Sequence, residues 1–193
     1  MVEKPNAIEL HNARGHVRYE GVSFAYGAPG SAGLALRPVV HDTTIDAPPG
    51  QVVALLGATG SGKSTILNLL RDVTITSLRR TVGVVLQDVF LFSATIRDNI
   101  AYGKPEATDE EVIAAAKAVG AHELILRLEQ GYATPVQERG VNLSPGQRQL
   151  IAFARAVLTD PRILVLDEAT ASIDAATEQV IQRGLRRLLA GRT

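Results

Sequence analysis

Residues 51–64 read QVVALLGATGSGKS. An apolar run that does not alternate with polar residues suits a strand covered on both faces, as in a parallel sheet. The reading therefore predicts a buried strand over Gln51–Leu56 and a helix from about Ser64 to Leu70, joined by a glycine turn. Gly57 to Ser64 fits the spacing G-x-x-x-x-G-K-S/T. The glycines let the backbone curl until several N–H groups converge on one anion. The lysine then reaches terminal phosphates and the serine hydroxyl can ligate a divalent cation. The N-terminus of the following helix adds roughly half a positive charge. A glycine turn with a chance lysine would not need a strand before it and a helix after it.

Upstream, VRYEGVSFAY (17–26) predicts a strand pair interrupted at Gly21, with Val22, Phe24 and Tyr26 on one face. A Gly-, Ala- and Pro-rich loop follows (27–38), and DAPPG (46–50) reads as a turn. Residues 1–14 read as a linker or arm. Downstream, VGVVL (82–86) predicts a second buried strand, ending at Gln87. Thr108 and Glu111 form a capping box for a helix that stops at Gly120. Ser144 and Gln147 do the same for a helix over Ser144–Leu158, with Pro145 in the first turn, where a missing N–H costs least. Leu150, Phe153, Ala154, Val157 and Leu158 give that helix an apolar stripe. ILVL (163–166) predicts a third buried strand. Asp174 can cap a last helix with Val180, Ile181, Leu185 and Leu188 on one face. Buried strands alternating with helices make this an α/β chain around a mainly parallel sheet.

The composition fits a globular chain: 46% hydrophobic residues argue against disorder. Twenty basic residues balance twenty acidic ones, which argues against a globally basic nucleic-acid binder. With no cysteine, disulfides, thiolate metal sites and cysteine nucleophiles are excluded. No apolar run approaches the roughly 20 residues that span a bilayer, and the N-terminus lacks a signal-peptide core, so the chain itself reads as soluble.

Two further stretches carry chemistry. ILVLDE (163–168) ends a buried strand in carboxylates, which is costly unless something positive meets them. Alone it is a weak signal. NLSPGQ (142–147) by itself is a well-capped amphipathic helix start.

Taken together, these stretches resemble the nucleotide-binding domain of ATP-binding cassette (ABC) transporters, and most closely the exporter type. GATGSGKS resembles the Walker A motif, ILVLDE Walker B and LSPGQ the family signature. Gln87 matches the Q-loop, Ser172-Ile173-Asp174 the D-loop, and Tyr26 the adenine-stacking aromatic. LFSATIRDNIAYG (91–103) and Gln137-Glu138-Arg139-Gly140 are similar to exporter segments, the latter to the loop that touches membrane partners.

The resemblance implies a P-loop NTPase with a RecA-like core (51–87 and 159–193), an antiparallel β subdomain (15–50) and an α-helical signature subdomain (88–158), all in one domain (1–193). It implies ATP and Mg²⁺ as ligands. Tyr26 would stack the adenine, and Gly57, Thr59, Gly60, Ser61, Gly62, Lys63, Ser64 and Thr65 would bind the phosphates. Ser64, Gln87 and Asp167 would serve Mg²⁺, with Glu168 as catalytic carboxylate aided by Gln87. Ser144, Gly146 and Gln147 would act on ATP across a head-to-tail dimer, with Asp174 at its interface. The implied partners are a second such domain, identical or diverged, and the transmembrane domains of an exporter, not nucleic acid. The implied place is the cytoplasmic face of a membrane.

Three departures stand against the family pattern. The chain stops at Ala190-Gly191-Arg192-Thr193, before the strand and switch histidine expected there; none of His11, His16, His41 or His122 takes that place. LLRDVTITSLRR (69–80) is short by about a β-hairpin, which would leave a sheet edge open. Pro145 stands where glycine is commonest and donates no N–H, so a weakened phosphate contact is expected. Two other functions compete with a transport ATPase: an ATP-holding module that does not hydrolyse, and a soluble ABC ATPase of DNA repair or translation. The exporter-like segments and the zero net charge disfavour the last.

Overall fold

The computed structural model describes residues 7, 9–27, 37–58, 60–67, 69, 75–86, 89–166 and 175–193. Thr59, Gln87, Asp167, Glu168 and Asp174 lie outside the described residues.

Two strands pair antiparallel near the N-terminus: β1 (Val17–Phe24) and β2 (Val40–Ala47). The interruption expected at Gly21 is a register shift inside one strand. Gly21 takes φ +55°, the left-handed region that glycine enters without a Cβ clash. The partner of β1 is β2, whose Val40 and Ala47 are buried while most of the residues between them are exposed. Asp46 and Ala47 belong to β2, so the expected turn is narrower than DAPPG and closes with Gln51 N donating to Pro48 O at 3.0 Å.

The parallel sheet of the described residues consists of β3 (Val82–Val85) and β4 (Ile163–Leu166), in register Val82↔Ile163 to Val85↔Leu166. Both sit where the sequence places them, but they are less buried than expected: Val84 is 55% exposed. The predicted strand over Gln51–Leu56 is a correction. The segment is irregular, and Leu56 is 93% exposed. The reason is visible at β4. Its second edge is taken by Thr193, whose N–H donates to Arg162 O and whose carbonyl accepts from Leu164 N. Gly50 N in turn donates to the Thr193 hydroxyl at 2.8 Å. Gly50, at the head of this segment, is thus tied to Thr193, and residues 51–56 form no strand.

The helices are α1 (Lys63–Leu67), α2 (Ile75–Thr81), α3 (Ile96–Ala101), α4 (Asp109–Val119), α5 (His122–Leu126), α6 (Pro145–Thr159) and α7 (Ala175–Leu189). Both predicted capping boxes are present, and Gly120 (φ +78°) and Asp160 (φ +44°) close α4 and α6 in the left-handed conformation. The core lies around α6, which packs on α3, α4 and α7. Phe153, Leu150 and Ile151 from α6 meet Ile96, Ile100, Val112, Val119, Ile181 and Leu188 there, each 2% exposed or less. Gly184 brings α7 against the end of α4; a Cβ there would stand 2.7 Å from Val119 O.

One polar hub holds the stretch 90–103 to α6. Asn99, 1% exposed, donates to Phe92 O and Thr95 O and accepts from Phe92 N. Its fourth bond comes from Arg155 Nη2 at 3.1 Å. Arg155 also donates to Asn99 O and Phe90 O and faces the stacked rings of Phe92 and Tyr102, whose centroids are 4.2 Å apart. Burial pushes the Arg155 guanidinium pKa down, with the Tyr102 phenol opposing. A lysine offers a point charge in place of a planar fork and cannot make these bonds while lying over the rings. Arg155→Lys is therefore expected to cost about 1–3 kcal/mol in urea unfolding. An unchanged midpoint would show that the hub contributes nothing.

Candidate nucleotide-binding site

The glycine turn after Leu56 is built as its chemistry requires. Gly60 and Gly62 take φ +83° and +90°. A Cβ on Gly62 would stand 2.8 Å from the Val39 carbonyl, and one on Gly57 would stand 2.6 Å from Ser61 Oγ. A side chain at Gly57 or Gly62 would clash there, so the backbone stays bare at these two places. Ser61 N donates to Ala58 O, and Ile66 N to Gly62 O opens α1. Lys63 Nζ donates to Gly57 O at 2.6 Å and to Ala58 O at 3.1 Å, which parks the ammonium over the mouth of the turn.

The β1–β2 pair reaches this turn through two phenols. Tyr19, 8% exposed, donates to Ile66 O at 2.9 Å, and burial raises its pKa. Tyr26 lies just past β1. Its ring packs edge-on against Phe24, and its hydroxyl is 3.1 Å from Thr65 Oγ1. Tyr26 is 63% exposed, so it does not close the core, the alternative its apolar spacing left open. Thr65 is buried.

A second set gathers at the start of α6. Ser144 Oγ accepts from Gln147 N at 3.2 Å, and Gln147 Oε1 accepts from Ser144 N at 2.8 Å. Pro145 occupies N1, Arg148 N donates to Ser144 O, and Gly146, the second residue of the helix, is buried. Two residues that the sequence reading passed over support it. Asn142 accepts from Gln137 N and donates to Pro135 O, tying the cap to the loop 137–140. Arg148 donates to the carbonyls of Gly140 and Leu143. Asn142 could have been suspected as an amide in a turn; the Arg148 bonds join residues too far apart for local pattern to reveal.

The structure therefore brings together Gly57, Gly60, Ser61, Gly62, Lys63, Thr65 and Tyr26, and separately Ser144, Gly146 and Gln147; Ser64 is the second residue of α1, after Lys63. The family profile described as ABC transporter matches residues 40–171, more than half of the chain. The chain belongs to the ABC transporter family. This ABC chain is 48% identical over 209 positions to the ABC transporter ATP-binding protein YknV of Bacillus subtilis, covering 99% of the chain and 33% of YknV. It is 46% identical over 211 positions to the heavy metal tolerance protein of Schizosaccharomyces pombe, covering all of the chain and 25% of that protein. Among solved structures it is similar to a bacterial Atm1-family ABC exporter with ATP bound, at TM-score 0.86 and 38% identity, over all of the chain and 36% of the exporter chain. The ABC chain thus spans about a third or less of these relatives. Its alignment with YknV has 209 positions against 193 residues, so YknV carries at least 16 residues inside the matched span with no counterpart here. The fold is the α/β P-loop NTPase fold of ABC ATP-binding domains, with a small antiparallel sheet beside parallel strands and helices. Among the described residues, no helix is long and apolar enough to cross a membrane.

Proposed function

We propose that this chain is the ATP-binding and ATP-hydrolysing domain of an ABC exporter, working as one of a head-to-tail pair beneath transmembrane domains. The observation that carries the reading is the glycine turn, with Gly60 and Gly62 at positive φ and the Lys63 ammonium bonded to the carbonyls of Gly57 and Ala58. Its N–H groups and Lys63 would bind the β- and γ-phosphates, with the Tyr26 ring beside the adenine. The capped start of α6 would meet the γ-phosphate bound to the partner domain, so that two copies share two equivalent sites. Gly146 offers a backbone N–H there and Ser144 a hydroxyl, while Pro145 offers none.

The oxygen donors Ser64, Gln87 and Asp167 suit a hard divalent cation, and these residues would hold Mg²⁺. Bound there, Mg²⁺ supplies positive charge against the phosphate oxygens. Glu168 would take the proton from water as that water attacks the γ-phosphorus and the bond to the β-phosphate oxygen breaks, giving ADP and phosphate. The loop 137–140 and the exposed aromatic surface of Phe90 and Tyr102, set rigidly by Arg155, are the faces offered to the membrane domains.

Calorimetric titration with Mg-ATP tests the reading directly: one saturable site per chain is expected, and a folded chain that binds none overturns it. Glu168→Gln is expected to keep ATP binding, abolish turnover and trap the dimer in the transporter. Turnover at the unmodified rate would remove Glu168 from its role. One observation favours the competing reading of a module that binds ATP without hydrolysing it. Residues 51–56, which root the phosphate loop, have no strand partner among the described residues. Binding with no phosphate release would decide for that reading.

A further inference from the structure

Tyr19 in β1 and Tyr26 just past it both reach the short helix that follows the phosphate loop, and they reach it differently. Tyr19 is buried and donates to a backbone carbonyl, Ile66 O. Tyr26 is mostly in solvent, yet its hydroxyl lies 3.1 Å from that of Thr65, which is 7% exposed. A solvent-facing ring would ordinarily swing through its rotamers; ordering it costs entropy that something must offset. Among the described residues, the edge of Phe24 and the Thr65 hydroxyl anchor it. Thr65 belongs to α1, whose first turn carries Lys63.

We propose that Thr65 is a positioning residue for base recognition: its side chain holds the Tyr26 ring at the edge of the phosphate loop. The inference rests on the ATP-binding reading above and deepens it. A ring fixed before binding presents its face without a further ordering cost, so the bond strengthens ATP binding through the base, in addition to any contact Thr65 itself makes with the phosphates. It also makes the order of the ring depend on the order of α1.

The test compares the chain with Thr65→Val, Thr65→Ser, Tyr26→Phe and the double variant Thr65→Val/Tyr26→Phe. Calorimetry is run with Mg-ATP and with inorganic tripolyphosphate. Loss of one such bond predicts that ATP weakens by about 3–10-fold more than tripolyphosphate in Thr65→Val and in Tyr26→Phe. The double variant is expected to lose no more than either single change. Thr65→Ser keeps the hydroxyl and is expected to restore the ATP preference. Equal weakening of both ligands would make Thr65 a phosphate contact or a packing residue and overturn the proposal, as would additive losses. A second readout needs no ligand. In ring-labelled tyrosine NMR spectra of the free chain, Thr65→Val is expected to shift the Tyr26 signal and leave that of Tyr19 in place. An unmoved Tyr26 signal refutes the positioning bond whatever the chain binds. A shifted signal in a chain that binds no ATP places the failure in the ATP reading, and base recognition falls with it.

Discussion

Lys63→Ala is expected to remove most of the affinity for Mg-ATP. The ammonium lies over the glycine turn, bonded to the carbonyls of Gly57 and Ala58. Those carbonyls are poor company for an incoming phosphate, because like partial charges repel. The ammonium is what makes the mouth of the turn attractive to an anion, and it can leave the carbonyls for the phosphate without crossing the protein. Hydrogen bonds to charged groups are worth about 1.5–3 kcal/mol each, so one lost contact predicts a drop of about 10–150-fold. The variant should fold normally, since the side chain is not part of the buried core. Thermal unfolding gives an independent reading: at a hundredfold excess over its dissociation constant, ATP adds about 2.7 kcal/mol to the unmodified chain. Lys63→Ala should keep no more than about half of that gain at the same concentration. An ATP-induced rise in Tm equal to that of the unmodified chain would mean that the turn is not where ATP binds.

Phe153→Ala is expected to be the most damaging single change for the fold. Phe153 is 0% exposed at the centre of α6, the helix on which α3, α4 and α7 all pack. Removing the ring leaves a cavity that three helices cannot close together, and such changes cost about 3–5 kcal/mol. Domains of this kind have only about 5–15 kcal/mol in total. The urea midpoint should fall sharply with little change in slope. Phe153→Leu, which keeps most of the volume, should cost less than half as much. A small loss in the alanine variant would place the core elsewhere. The Ser144–Gln147 capping box opens the same helix, so loosening α6 should also weaken that cap.

What could be read from the sequence was whatever depends on neighbours a few residues away. The capping boxes at Thr108–Glu111 and Ser144–Gln147, and the stop at Gly120, are local chemistry and appear as expected. The glycine turn was legible for the same reason. The strand over 51–56 was misjudged because a strand exists only through its partners. The apolar run promised a sheet on both sides, while β4 has β3 on one edge and Thr193 on the other. β2 was missed because VHDTTIDA alternates only weakly and is defined by its register with β1. The Asn99–Arg155 hub joins residues 56 apart in sequence, beyond the reach of periodicity or motif.

The bonds of Thr193 sew together two stretches that lie far apart in the chain. Its backbone N–H and carbonyl are both engaged on β4, and its hydroxyl holds Gly50. A disturbance at β4 can therefore be handed through this single residue to Gly50, 143 positions earlier, at the approach to the glycine turn.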